Sequence, residues 1–244
     1  MVNQFTLQQK FLANQYTTKN LKQDFHDWHQ GRSRYALWAV DVDFPAVRQQ
    51  VAMASKHLSR FLLEGYCRQP HITLGISGFL NNKPQHTGDY TVSSFEADLA
   101  ALKNLHLHSF ELEISSLASF SSAPFLYVKD TTGNLHRLHK CLHTANCDVD
   151  FQYVPHVTVG LYSEAWSTKI VSRHLDNFQK NGVISHQVSK ISLMSYAASE
   201  IGGKLITIAD YDLERMQIQL HETPPFDSTA GDVISRHDIS SLLG

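Results

Sequence analysis

The chain is poor in cysteine. Its three thiols, Cys67, Cys141 and Cys147, cannot all pair with one another, and their odd number and wide spacing argue for reduced side chains in a cytoplasmic setting. No apolar run approaches the ~20 residues that span a bilayer. The opening, MVNQFTLQQK, lacks the basic and then apolar regions of a secretory leader, so neither membrane insertion nor export is expected. Positive charge is not in excess either. A formal net charge of −2 argues against coating an extended duplex through phosphate contacts, but it leaves room for a local basic site that takes one small phosphorylated ligand. There is no Walker loop, GxGxxG turn, GxSxG elbow or HExxH helix, and "GGK" at 202–204 reads as a hairpin turn. No cofactor and no metal are called for.

At 244 residues the chain can bury a core of its own, as one large domain or as two lobes sharing a cleft. "RYALWAVDV" (34–42) reads as a strand. A helix follows from Pro45, with Val47, Val51, Ala54, Leu58, Phe61 and Leu62 at helical spacing. "HITLGISGFL" (71–80) is a strand, and "SSFEADLAALKNL" a helix capped by Ser93 or Ser94. "SFELEISSLASF" and "PFLYVKD" are strands. The pattern then begins again: a helix in "TGNLHRLHKCLHTAN", a strand in "HVTVGLY" (156–162), a helix capped by Ser163, and strands in "HQVSKISLMSYAA" and "KLITIADYDL". Hairpin-like pairs mixed with crossovers predict an α+β fold rather than a doubly wound sheet. The expected organisation is a polar, partly helical leader (1–33), a duplicated domain (34–213) with pseudo-symmetric lobes at about 34–130 and 131–213, and a C-terminal extension (214–244).

One element of this duplication is specific. "PHITLG" (70–75) and "PHVTVG" (155–160) share Pro, His, a β-branched residue, Thr, an aliphatic and Gly. With fifteen histidines, chance supplies on the order of one bare His-x-Thr. "HETPP" at 221–225 is such a case and is set aside. Six matched positions in two strand contexts are far beyond chance. Side chains alternate along a strand, so His71, Thr73, Gly75 and Ser77 are expected on one face, with Ile72, Leu74 and Ile76 on the other. His156, Thr158, Gly160 and Tyr162 are expected to share a face in the second copy. The aliphatic faces pack under helices. The polar faces line a cleft in which the glycines leave space.

Two imidazoles and two hydroxyls around one small volume suit phosphodiester cleavage. One neutral histidine takes a proton from the nucleophile, and a second, charged, gives one to the leaving oxygen. The threonine hydroxyls donate to the non-bridging oxygens. Tyr162 and Phe79 are the aromatic candidates for stacking a base, with Phe125 weaker. His136, His139 and His143, with Cys141 and Cys147 nearby, lack the arrangement of a metal site and read as a solvated helix face.

The two motifs, "HITL" and "HVTV", with their separation and the alternation of elements from about residue 34 to 213, resemble the 2H phosphoesterase superfamily. That superfamily is defined by two His-x-(Thr/Ser) motifs on strands and includes the bacterial 2′-5′ RNA ligase and RNA 2′,3′-cyclic phosphodiesterase enzymes. The resemblance implies a bilobal duplicated fold of antiparallel sheets with outer helices, the two motif strands facing a central cleft. It implies a metal-independent phosphodiesterase acting on 2′,3′-cyclic phosphates or 2′-5′ linkages, with His71 and His156 catalytic and Thr73 and Thr158 on the phosphate. The partner would be a small nucleotide or an RNA end, met by a monomer. The alternative is a nucleotide-binding module of the same fold without significant turnover.

Overall fold

The computed structural model describes residues 4–142, 152–179 and 182–222. In chain order the elements are α1 (Gln4–Ala13), α2 (His26–His29), β1 (Arg34–Asp41), α3 (Pro45–His57), a 3₁₀ turn (Ser59–Phe61), β2 (His71–Leu80), β3 (Asp89–Tyr90), α4 (Val92–Leu105), β4 (Phe110–Ser119), β5 (Pro124–Lys129), α5 (Asn134–Leu142), β6 (His156–Thr158), α6 (Thr168–Asp176), β7 (Ile184–Val188), β8 (Lys190–Ala197), β9 (Ile206–Asp212) and β10 (Gln217–Leu220). They form two sheets, ordered β10-β9-β8-β1-β2-β3 and β6-β5-β4-β7. Every pairing is antiparallel except β2 with β3. The fold is α+β, as the mixture of hairpin-like pairs and crossovers predicted.

A unit of strand, helix, motif strand and helix occurs twice, as β1–α3–β2–α4 and β5–α5–β6–α6, and in each the motif strand lies antiparallel to the strand that opens the unit. Each sheet nevertheless draws on both halves of the chain, because β8, β9 and β10 return to the first sheet. The segment 186–198, expected as one strand, divides at Ser189. β7 is a half-exposed edge strand of the second sheet. β8 sits between β9 and β1 and is almost wholly buried, as its run of apolar residues allows.

Trp38, on β1, is fully buried, and its indole N–H donates to Asp98 of α4 at 2.8 Å. Tyr90 donates to the same carboxyl at 2.6 Å, which offsets the cost of burying it. Burial still holds the Asp98 pKa above the usual carboxylate range. The leader is packed onto the second sheet. Leu7 and Phe11 of α1 are buried, α1 lies on β4 and α6, and residues 17–20 run along the loops that follow β4 and β6 through backbone bonds to Trp166, Ser121 and Tyr162. α2 is held by Arg32, which donates to the His29 carbonyl and to Asp89 at 2.8 and 2.9 Å. The Asp89 carboxylate is enclosed and accepts from Asn81 and from the backbone N–H groups of Gln85 and His86. Beyond Glu214 the chain adds β10 to the edge of β9.

Two caps fall elsewhere than expected. α4 begins at Thr91, whose hydroxyl and backbone N–H form a capping box with Ser94. α6 begins at Ser167 rather than Ser163. Residues 163–168 are occupied in pairing with the leader and with Phe61, whose carbonyl receives the Ser163 backbone N–H and hydroxyl at 2.9 and 3.1 Å.

Candidate active site

His71 and His156 open their strands in the same way. The His71 Nδ1 lies 2.8 Å from the Gln69 carbonyl oxygen, and the His156 Nδ1 lies 2.7 Å from the Val154 carbonyl oxygen. A carbonyl oxygen only accepts, so Nδ1 carries the hydrogen in both rings and Nε2 is left with its lone pair. The preceding proline explains the shared geometry. Pro70 and Pro155 bar Gln69 and Val154 from the helical region, and an extended residue there turns its carbonyl toward the imidazole two positions on. The Pro-His pair is therefore a device for fixing a tautomer.

Burial of the anchors is consistent with the expected alternation at the start of each strand. Ile72, Leu74 and Val157 are fully buried, while Thr73, His156 and Thr158 are half-exposed and His71 keeps a small exposed surface. β2 and β6 run close together, and the two imidazoles feel one another. Burial, the Arg68 guanidinium and His156 all disfavour the charged form of His71, lowering its pKa to about 4 against the pull of the Gln69 carbonyl. Burial likewise lowers that of His156.

Through two tyrosines each motif meets the approach of the other. Tyr153, three residues before His156, donates its hydroxyl to the Thr73 carbonyl at 2.8 Å. Tyr66, five residues before His71, comes close to the Thr158 side chain, and burial pushes its pKa up to about 12. Behind Tyr153 lies the His139 ring, parallel at 4.0 Å, whose Nδ1–H donates to the Leu74 carbonyl at 2.6 Å. His139 is thus part of the packing between α5 and β2, not of a solvated face. His143 and Cys147 lie outside the described residues, and among those described no three His, Cys, Asp or Glu side chains gather as ligands for one ion.

Arg68 supplies the local positive charge that the sequence left room for but did not locate. Its Nε–H donates to the Gly203 carbonyl at 3.2 Å, and its guanidinium lies 4.0 Å above the Tyr196 ring. The segment 67–69 is pinned to the 202–205 turn, with Cys67 N–H on the Gly202 carbonyl and Gln69 paired reciprocally with the Leu205 backbone. Phe120, partly exposed, meets the His156 ring edge-on at 5.0 Å. Neither residue was found from the sequence. Arg68 stands three positions before His71 with no pattern to mark it, and Phe120 arrives from β4's far end.

Other expectations are corrected. Strand pairing of the second motif ends at Thr158, so Tyr162 does not continue the His156 face. It is fully enclosed, its hydroxyl bonded to Ser119 at 2.6 Å, and has no exposed face for a base. Phe79 is buried beneath Trp28, with Arg32 at 3.7 Å over its ring. Phe125 is core. The glycines admit protein rather than ligand. A Cβ at Gly75 would lie 2.7 Å from the Leu142 carbonyl oxygen, and one at Gly160 would lie 3.0 Å from the Leu62 side chain. Ile76 is exposed rather than buried, because register shifts on either side of it turn it onto the face of Thr73. His221 of the third triplet pairs with Asp210 at 3.1 Å, away from the motif strands, and Thr223 lies outside the described residues.

No curated protein matches the chain in sequence. Among solved structures it is similar to Escherichia coli LigT complexed with 3′-AMP, at 16% identity over 74% of this chain and 98% of that one with a TM-score of 0.46. It is also similar to TT0787 of Thermus thermophilus, at 14% identity over 73% of this chain and 97% of that one with a TM-score of 0.47. These likenesses are too distant to carry weight. The family model of the 2′-5′ RNA ligase superfamily, in contrast, matches residues 45–200, which include both His-x-Thr strands and the helices that follow them. Spanning well over half of the chain, that match makes this protein a member of the 2′-5′ RNA ligase superfamily.

Proposed function

We propose that the protein is a phosphodiesterase that opens 2′,3′-cyclic phosphates or cleaves 2′-5′ linkages at nucleotides or RNA ends by two-histidine acid–base catalysis without a metal. The observation that carries this reading is the matched pair of imidazoles, each with Nδ1–H fixed on a carbonyl and Nε2 left to exchange a proton. On a cyclic phosphate, one Nε2 takes a proton from water as its oxygen bonds to phosphorus. The bond from phosphorus to one ribose oxygen breaks, and the other Nε2–H protonates that oxygen, leaving a phosphomonoester. Thr73 and Thr158 donate to the non-bridging oxygens, where charge accumulates. One imidazole takes the base role and the other the acid role; burial lowers the pKa of both, so each can be neutral near neutral pH. A bound phosphate anion favours the imidazolium that burial disfavours.

The test is turnover of a panel of 2′,3′-cyclic nucleotides, 2′-5′ dinucleotides and cyclic-phosphate-ended RNAs after dialysis against EDTA, with the position of the product phosphate assigned. Hydrolysis of any of these in EDTA supports the reading. Binding without turnover would move the nucleotide-binding module ahead, and activity restored only by a divalent metal would sink the two-histidine chemistry.

A further inference from the structure

The first sheet carries the His71–Thr73 end of the site on one of its faces, and that face continues. Residues paired directly across strands share a face. Asp41 is paired with His71, Ala39 with Thr73 and Ser192, Leu37 with Ile76 and Met194, and Tyr35 with Phe79 and Tyr196. These are successive rows, each about 6–7 Å from the next. Leu205 packs on the middle rows, but Ile76 beside it is 44% exposed. The last row is aromatic. Tyr35 lies 4.6 Å from Phe79 and 5.8 Å from Tyr196, and Trp28, brought from the leader by α2, covers Phe79 at 4.8 Å and Tyr35 at 5.0 Å.

Three properties set this row apart from core. Trp28 is 43% exposed and Tyr35 and Tyr196 are half-exposed. A fixed cation lies against one end of the row: Arg68 is stacked on Tyr196 and its charge reaches His71. Unlike Arg32 and Arg34, which face Asp89 and Glu222, Arg68 has no carboxylate partner among the described residues. Finally, the platform is mechanically fixed, since Arg32 clamps α2 to the enclosed Asp89 and also donates to the Trp28 carbonyl at 3.2 Å.

We propose that Arg68, Tyr196, Tyr35 and Trp28 form a second binding site, for the single-stranded run of nucleotides attached to the phosphodiester held at His71 and His156. Flat aromatic faces with a cation against one end of the row suit bases joined by phosphates, and stacking of this kind tolerates any sequence. The row lies about 20 Å along the strands from His71, a span of a few nucleotides. The proposal rests on the function proposed above for its occupant, but binding at the row does not require turnover. It predicts a substrate longer than a mononucleotide and a role for the leader in selecting it.

The experiment measures two quantities. The first is the affinity of a 5′-fluorescein-labelled RNA of roughly six nucleotides with a 3′-hydroxyl, read by anisotropy. The second is the ratio of kcat/KM for the same RNA ended by a 2′,3′-cyclic phosphate to that for a cyclic mononucleotide. Trp28→Leu, which keeps apolar packing on Phe79 without a flat face, should weaken RNA affinity and lower the ratio roughly tenfold. Trp28→Phe should recover most of both. Arg68→Gln should weaken RNA binding and flatten its salt dependence. Phe5→Ala, an exposed aromatic of α1 beside the other sheet, should change neither quantity. RNA affinity and ratio unaltered in both Trp28→Leu and Arg68→Gln would overturn the second site while leaving the proposed activity standing. RNA binding that depends on Trp28 in a protein with no turnover would uphold the site and remove the phosphodiesterase reading.

Discussion

The Tyr153 hydroxyl donates to the Thr73 backbone carbonyl at 2.8 Å, so the chain leading into one motif holds the strand of the other. Tyr66, which precedes His71, approaches the Thr158 side chain in the reverse sense, so each motif meets the approach of the other. Tyr153→Phe should cost about 1 kcal/mol of stability, the usual net value of one hydrogen bond, and should lower kcat by more than that loss of stability explains. Urea unfolding and steady-state kinetics on the same preparation check this. Unchanged kcat would mean the tie holds the fold but not the site.

His71→Ala and His156→Ala should each reduce turnover by roughly 10²–10⁴, the scale of general acid–base groups. Thr73→Ala and Thr158→Ala should lose less, on the order of one charge-assisted hydrogen bond. His221→Ala should be silent, since its ring faces Asp210. Steady-state assays with a cyclic nucleotide decide it, and near-wild-type turnover in either motif-histidine variant contradicts the assignment.

The rate profile should be a bell displaced to acid pH. Productive enzyme needs one imidazole charged and one neutral, and burial lowers the pKa of both. The kcat/KM optimum of the free enzyme should therefore fall below the ordinary imidazole value of about 6.5. A bound phosphate anion raises both, so the kcat profile should extend further to the alkaline side. Because the two groups interact, each limb reports the pair. His71→Gln and His156→Gln should remove opposite limbs from the residual rate, and a profile centred above pH 7 in kcat/KM would refute the argument.

Stability should also follow His71. Its folded pKa, about 4, lies below the unfolded value, so between the two the unfolded chain binds more protons. The stability contribution of the neutral ring is fully present above about pH 6.5 and is lost as pH falls toward 4, by an amount on the order of 3 kcal/mol. His71→Asn should show a shallower loss over that window in urea melts. Parallel curves for wild type and variant would show that this ring is not the source.

The sequence alone determined the α+β class, the limits of β2, the two motif strands and the burial of Ile72, Leu74 and Val157. These are local properties: period-two alternation, a β-branched frame and a Pro-His pair act within a few residues of themselves. It could not determine which strands share a sheet, and so could not foresee that 186–198 divides between two. Nor could it show that Leu142 and Leu62 fill the space beside Gly75 and Gly160, or that a register shift turns Ile76 outward. Tyr162 was misplaced because alternation holds only while pairing lasts, and the β5 partner ends it at Thr158. Tertiary structure alone brought Arg68 beside Tyr196, Phe120 beside His156 and Trp28 over Phe79. Each of those neighbours lies tens of residues or more away in sequence, where chain connectivity no longer constrains distance and only packing does.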